Sequence, residues 1–215
     1  MEPIPLPISE DEARQLYEKA GAGHDFDHIL RVAALSRRLG TDEGADLRVV
    51  VTAALLHDIG ESEGRGAHHL RSAELAREIL GGETEPFVDA VAHAIEAHRF
   101  RADPAPWTLE AQVVYDADKL DAIGAVGVAR VFAYAGERGT PLWRRPWRDI
   151  AAEGGDVVLQ PRALGAEYTP VHEFVFKLDR IPDLLYTATA RAIATERRAF
   201  MRAFFDRLDA EVQGE

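Results

Sequence analysis

The sequence predicts an all-α protein, and three observations support that class. Apolar residues recur at helical spacing over most of the 215 residues, no alternating strand pattern of useful length is present, and no internal repeat or low-complexity tract is found. The hydrophobic fraction of 47% is too high for a disordered chain. Because the length is ample for one core, we expect a single domain over residues 1–215.

The first two predicted helices have recognisable boundaries. A capping box at residues 9–12 precedes the first helix, and the glycines at 21 and 23 end it. The second helix is predicted to begin near Asp25 or Asp27 and to stop at Gly40.

The third predicted helix begins at Asp46 and is apolar almost all round over residues 49–56, as is typical of a buried helix. His57 and Asp58 lie at its C-terminal end, just before Gly60. A loop is predicted over residues 61–66.

The rest of the chain is also predicted to be mainly helical. Helices are expected at about 67–80, 84–98, 108–121 and 123–136. The segment 137–170 is rich in loops, and residues 156–159 are predicted to be a short extended piece. C-terminal helices are expected over 171–213, with a break at Pro182 and a long last helix at about 183–212.

Charge and composition exclude several classes of protein. The net charge of −12 argues against extended nucleic acid as a partner, because such partners select an excess of Lys and Arg. The absence of Cys excludes disulfides, thiolate metal sites and cysteine nucleophiles. No apolar run approaches the length of a membrane span, and the first twelve residues lack the pattern of a signal peptide. We therefore expect a cytoplasmic protein without a membrane partner.

Histidines and aspartates form the main chemical pattern. Seven of the eight histidines lie within residues 24–98, and a buried helix that ends in His57 and Asp58 requires a partner for the carboxylate. That partner is either an Arg at an exposed helix end or a metal ion. Asp118 and Asp121 share one helix face, and imidazole with carboxylate suits divalent transition metals or Mg²⁺.

The order of His28, the pair His57 and Asp58, and then Asp118 resembles the H…HD…D motif of the HD-domain metal-dependent phosphohydrolases. The flanking sequences HDFDHILRV, ALLHDIG and ADKLDAIG are similar to those of small stand-alone bacterial members. The resemblance covers about residues 20–130, and residues 169–205 also resemble the C-terminal helices of that subgroup. It implies an HD-type helical bundle with additional C-terminal helices.

The resemblance further implies a metal site and a reaction. The implied metal ligands are His28, His57, Asp58 and Asp118, and the implied cofactor is a divalent ion such as Mn, Mg, Fe, Ni or Co. The expected reaction is hydrolysis, by metal-activated water, of a small phosphorylated molecule, and the expected molecule is a nucleotide. Either a nucleoside or deoxynucleoside triphosphate is converted to monophosphate and pyrophosphate, or a phosphomonoester is hydrolysed. The metal would attract phosphate to an acidic protein.

Further residues are candidates for catalysis and substrate binding. Asp58 and Glu61 are the candidate catalytic residues. The candidate substrate-binding residues are His68, His98, Lys119, Arg31, Arg65 and His24. For most of these an ordinary solvated side chain is the alternative. For Lys119 the alternative is a salt bridge with Asp116 or Asp121, and for His68 and His98 it is a second metal ion.

Two other functional classes stay open at this point. Some HD-fold proteins are di-iron oxygenases, and an HD fold can also serve as a non-enzymatic ligand sensor or binding module. The basic aromatic patch at residues 143–148 is expected either to stack a base or to pack on its own domain or on a second subunit. Together with the long charged last helix, it is consistent with a homodimer.

Overall fold

The all-α class is confirmed. The computed structural model describes residues 5–19, 26–60, 68–99, 104–153 and 165–215, and these contain ten α-helices and no strand. In chain order the helices are α1 (Glu10–Lys19), α2 (Phe26–Glu43), α3 (Leu47–Leu56), α4 (His68–Ile79), α5 (Glu85–Glu96), α6 (Leu109–Asp121), α7 (Gly124–Arg138), α8 (Trp147–Ala152), α9 (Pro170–Phe176) and α10 (Ala188–Val212). Two 3₁₀ helices cover Gly165–Glu167 and Leu178–Leu184. The predicted extended piece at 156–159 lies outside the described residues.

The chain forms two compact units. The first comprises residues 1–119 with 185–190, and the second comprises residues 120–184 with 191–215. The single domain expected over residues 1–215 stays a prediction. None of the described helices combines the length and the apolar composition that a membrane span requires.

Helix α3 is the centre of the first unit. Every residue from Val49 to Leu56 is buried, as its apolar sequence predicts. It packs against α2 and α5, α4 packs against α5, and α1 packs against both α2 and α3. The residues that follow its last turn, His57 and Asp58, are therefore held inside the unit.

The predicted start of α3 is confirmed by its cap. The carboxylate of Asp46 accepts hydrogen bonds from the backbone N–H groups of Arg48, at 2.8 Å, and Val49, at 3.3 Å. These are donors that the first turn of a helix otherwise leaves without partners.

Removal of this cap is expected to destabilise the fold measurably. We expect Asp46→Ala to lower the free energy of unfolding by about 1 kcal/mol. For a chain of this length, that corresponds to a fall in Tm of roughly 2–4 °C in a calorimetric melt. Thr84→Ala is the matched control, because Thr84 occupies the N-cap of α5 without a side-chain cap bond. An equal loss in both variants would contradict the assignment.

The predicted end of the second helix at Gly40 is wrong, because the helix is three residues longer. Helix α2 continues past Gly40 and ends at Glu43, and the next residue, Gly44, has a φ of 79°, which lies in the left-handed region. Gly40 has a packing role instead, since a Cβ at this position would lie 2.8 Å from Cδ2 of Leu47. Gly40 therefore permits the close approach of α2 to the start of α3.

The second unit has an aromatic core. Phe174 on α9 stacks on Phe205 of α10 with ring centroids 4.2 Å apart, and Phe132 on α7 stacks on the same ring at 6.2 Å. Trp147 on α8 packs edge-on against Phe174.

The basic aromatic patch packs on its own unit. The indole N–H of Trp143 donates to Asp209 at 2.7 Å, and that of Trp147 donates to Asp206 at 2.8 Å. Arg148 also donates to Asp206. Among the alternatives for this patch, packing on its own domain is the one that these contacts match.

The last helix begins later than predicted, at residue 188 instead of about 183. Pro182 lies within a 3₁₀ helix, and the N–H groups of Tyr186 and Thr187 donate to the carboxylate of Asp116 at 2.7–3.2 Å. The Thr187 hydroxyl also donates to this carboxylate, and it accepts from the N–H of Ala190. This capping arrangement, which sequence spacing does not reveal, sets the start of α10.

Candidate metal centre

Asp58 lies at the centre of a cluster of histidines. Its Oδ2 atom is 3.8 Å from Nε2 of His28 and 3.4 Å from Nε2 of His57. Its Oδ1 atom is 3.5 Å from Nε2 of His68 and 3.4 Å from Nε2 of His98. The two carboxylate oxygens therefore face two different pairs of histidines.

Five helices of the first unit contribute to this cluster. His28 lies in the first turn of α2, His57 directly follows α3, His68 begins α4, and His98 follows α5 by two residues. Asp118, in the last turn of α6, completes it, with its Oδ1 atom 3.5 Å from Nε2 of His28. Because these residues come from separate helices, folding of the unit assembles the cluster.

Hydrogen bonds orient two of the imidazoles. Nδ1 of His57 is 2.8 Å from the carbonyl oxygen of Ala54, and Nδ1 of His98 is 2.6 Å from that of Ile95. A carbonyl accepts only from a protonated nitrogen, so in each neutral ring the lone pair lies on Nε2. Nε2 of His57 is buried and has no hydrogen-bond partner among the described residues, which is the arrangement a bound cation would satisfy.

The protonation states also suit a cation. Burial lowers the pKa of His57 from 6.5 to about 4. Burial alone would raise the pKa of Asp58, but the adjacent His57 and His98 outweigh it and hold that pKa well below its usual range. Burial opposes ionisation of Asp118 as well, and Lys119 and His28 lower its pKa nonetheless. At neutral pH the His57 imidazole is thus neutral and both carboxylates are charged, as metal ligands must be.

Two groups of donors are close enough to hold a metal ion. His28, His57 and Asp58 form one group and Asp58, His68 and His98 form the other, each with its ligand atoms within 4.8 Å of one another. With Asp118 beside His28, the first group brings together all four residues predicted as ligands. The second group brings together the two histidines for which phosphate binding and a second metal ion are the alternatives.

Lys119 is engaged within the cluster. Its ammonium group donates to Oδ2 of Asp118 and, at 2.8 Å, to the carbonyl oxygen of His98, and it lies 5.0 Å from the centre of the Tyr115 ring. The salt bridge expected as its alternative role therefore exists, but with Asp118 instead of Asp116 or Asp121. Asp116 binds the start of α10, and Asp121 pairs with Arg130 at 2.9 Å.

The other predicted site residues are not all described. Arg31, three residues after His28 on α2, is partly buried. Glu61, the candidate catalytic acid, and Arg65 and His24, two candidates for substrate binding, lie outside the described residues. Their roles stay predictions, as does phosphate binding by Arg31 and Lys119.

Two hydroxyl groups near the cluster were not predicted to serve it. The N–H of Asp58 donates to the Tyr17 hydroxyl at 3.2 Å, and the N–H of Gly60 donates to the Ser72 hydroxyl at 3.0 Å. Tyr17 lies in the first helix at the spacing of its apolar residues, and no sequence motif indicates a contact across 41 positions. Ser72 lies four residues after His68, and this helical spacing is the sequence signal that could have indicated it.

Comparison with known proteins identifies the family. The HD domain model matches residues 25–123, which include all four predicted ligands. The protein YpgQ of Bacillus subtilis (strain 168) is 35% identical over 198 residues, covering 90% of this chain and 86% of YpgQ. The chain belongs to the HD-domain family.

Solved structures of HD-domain relatives have the same fold. Bacillus subtilis YpgQ in complex with ADP is 34% identical, with a TM-score of 0.71 and coverage of 95% of each chain. An HD-superfamily hydrolase from Bacillus thuringiensis is 28% identical, also with a TM-score of 0.71, over 96% of this chain and 95% of that one. The likeness extends beyond the residues matched by the HD model, so it includes the C-terminal helices.

Proposed function

We propose that this HD-domain protein is a divalent-metal-dependent phosphohydrolase that acts on a nucleotide. The observation that carries the proposal is the Asp58 carboxylate, ionised and surrounded by the Nε2 atoms of four histidines. The bond cleaved is proposed to be a phosphoanhydride of a nucleoside or deoxynucleoside triphosphate, which yields monophosphate and pyrophosphate. Hydrolysis of a phosphomonoester is the alternative reaction at the same site.

The donors fit a divalent ion. His28, His57, Asp58 and Asp118 would hold it, because they combine neutral imidazole nitrogen with ionised carboxylate. When bound, such an ion activates water and offsets charge on a phosphoryl group. The side chains of Asp58 and Asp118 are 20% and 17% exposed, so the donors are accessible to a ligand from solvent.

The remaining residues of the cluster have roles that follow from their positions. Lys119 pairs with Oδ2 of Asp118, while Oδ1 lies 3.5 Å from Nε2 of His28 and would serve as the ligand atom. We propose that His98 and His68, which face the other oxygen of Asp58, bind phosphate oxygens of the substrate. We propose Glu61 as the group that handles the proton of the attacking water.

A nucleotide is the proposed substrate class for two reasons. The related YpgQ has been crystallised with ADP, at 34% identity over nearly the whole chain. A net charge of −12 disfavours long polyanions, whereas a local divalent ion can bind a short one.

A product assay tests the proposal directly. The metal-free protein is supplied with Mn²⁺, Mg²⁺, Ni²⁺ or Co²⁺ and assayed with nucleoside and deoxynucleoside tri-, di- and monophosphates and with a generic phosphomonoester. Chromatography and ³¹P NMR identify the products, and we expect turnover of at least one nucleotide that excess chelator abolishes. Release of pyrophosphate, as opposed to phosphate, identifies the bond cleaved.

Two other results would support the alternative functions of this fold. Two irons per chain with oxygen consumption would favour a di-iron oxygenase, in which His68 and His98 bind a second ion. Stabilisation by nucleotides without turnover under any metal would favour a sensor. Either result would contradict the proposed hydrolysis.

A further inference from the structure

We infer that the hydroxyl groups of Tyr17 and Ser72 are positioning groups that hold the His57–Asp58 turn in the geometry that binds the metal. The inference rests on the proposed metal centre and assigns it two residues that contribute no ligand atom. Both act through backbone N–H groups of the turn.

The turn after α3 is anchored from two sides. Helix α3 ends at Leu56, and residues 57–60 form the turn that carries two of the four proposed ligands. The N–H of Asp58 donates to Tyr17 Oη and the N–H of Gly60 donates to Ser72 Oγ, while the N–H of Ile59 between them donates to the carbonyl oxygen of Leu56. Three successive amide groups of the turn are thus satisfied, two of them by side chains from other helices.

Tyr17 links α1 to the metal centre. Its side chain is 2% exposed, and its ring packs edge-on against Phe26 with centroids 5.4 Å apart, so the position of its hydroxyl is determined by packing. The hydroxyl meets the N–H of Asp58 itself, the residue whose two oxygens face both histidine pairs. Tyr17 also lies outside residues 25–123, the segment that the HD domain model matches.

Ser72 links α4 to the same turn. Its side chain is fully buried, and α4 lies so close to the turn that a Cβ on Gly60 would be 2.9 Å from the backbone nitrogen of Ser72. His68 is one helical turn earlier on α4, with its Nε2 atom 3.5 Å from Oδ1 of Asp58. The bond from Gly60 to Ser72 therefore sets the distance between the turn and the histidine on its far side.

Loss of either hydroxyl removes the partner of an N–H of the turn, part-buried at Asp58 and buried at Gly60, so the proposed ligands on the turn are held less firmly. Groups that orient metal ligands typically contribute about 10- to 100-fold to metal affinity. We expect each hydroxyl to contribute to metal affinity by a factor in that range. The effect is expected in the absence of substrate.

The test measures Mn²⁺ affinity without substrate. Metal-free wild-type, Tyr17→Phe and Ser72→Ala proteins are titrated with Mn²⁺, and the EPR signal of free Mn²⁺ gives the Kd while the bound signal reports its coordination. We expect the Kd to rise by about tenfold or more in each variant, with a broadened spectrum of bound Mn²⁺. Circular dichroism in chelator confirms folding, and Ser72→Cys replaces Ser72→Ala if the latter does not fold.

The chain offers a matched control for each substitution. Ser36→Ala also removes a fully buried serine hydroxyl, but Oγ of Ser36 has no hydrogen-bond partner among the described residues. Tyr168→Phe also breaks a tyrosine hydrogen bond, to Glu173 at 2.6 Å, but in the second unit. Both controls are expected to bind Mn²⁺ as the wild-type protein does.

The outcomes separate this inference from the proposed function. Wild-type affinity and spectrum in both Tyr17→Phe and Ser72→Ala would overturn the positioning roles and leave the metal centre intact. If the wild-type protein binds none of Mn²⁺, Mg²⁺, Fe²⁺, Ni²⁺ and Co²⁺, the metal centre itself is overturned, and the positioning roles with it.

Discussion

Asp58→Ala is expected to abolish both metal binding and hydrolysis. The carboxylate is the one group that belongs to both sets of donors, so its removal leaves each set incomplete. Groups that only orient ligands contribute about 10- to 100-fold to metal affinity, so we expect loss of a shared ligand to reduce affinity and turnover by more than about 100-fold. Isothermal titration with Mn²⁺ and the nucleotide assay measure the two effects.

The variant is expected to fold, which makes the result interpretable. Because the pKa of His57 is lowered to about 4, that imidazole is neutral at pH 7 and does not depend on the carboxylate to offset a buried charge. Asp58→Asn keeps the side-chain volume, and Asp27→Ala removes an exposed carboxylate next to His28 as a control. Full activity of a metal-free Asp58→Ala protein would falsify the proposed mechanism.

Gly127→Ala is expected to have the largest effect on stability. Gly127 lies in the first turn of α7, where an added Cβ would be 2.2 Å from the carbonyl oxygen of Ala122 and 2.8 Å from its carbonyl carbon. Both are backbone atoms, so relief requires a shift of the chain. We expect a loss of about 3 kcal/mol, equivalent to a fall in Tm of roughly 6–12 °C.

The same helix provides the control for this substitution. Gly136, near the end of α7, is exposed, and a Cβ there would meet no atom within 4 Å. Gly136→Ala is therefore expected to raise stability by about 0.5–1 kcal/mol, because alanine loses less conformational entropy in a helix. Calorimetric melts of both variants check the prediction, and a similar Tm for the two would show that the close contact at Gly127 has no energetic consequence.

The sequence predicts local features of this fold well. A polar residue before an uninterrupted apolar run predicts both the cap at Asp46 and the burial of α3. Both predictions are confirmed. The four predicted ligands also come together in space, because the motif that indicates them is tied to one arrangement of helices.

Features that depend on contacts between residues far apart in the sequence could not be predicted from local patterns. Gly40 and Gly44 are equally good helix terminators by residue type, and only the position of Leu47 shows that Gly40 serves packing. In the same way, a hydrogen bond from Asp58 to Tyr17 joins residues 41 positions apart, and nothing in either local sequence indicates it.

The contacts of the Asp116 carboxylate limit where the chain can be cut to give a stable fragment. This fully buried side chain lies two residues before Asp118 and accepts hydrogen bonds from three donor groups of the segment 186–187 that opens the last helix. A fragment restricted to the residues matched by the HD model would contain the acid without these donors, and an uncompensated buried charge is costly. We therefore expect that the residues matched by the HD model do not form a stable fragment without the segment that opens α10.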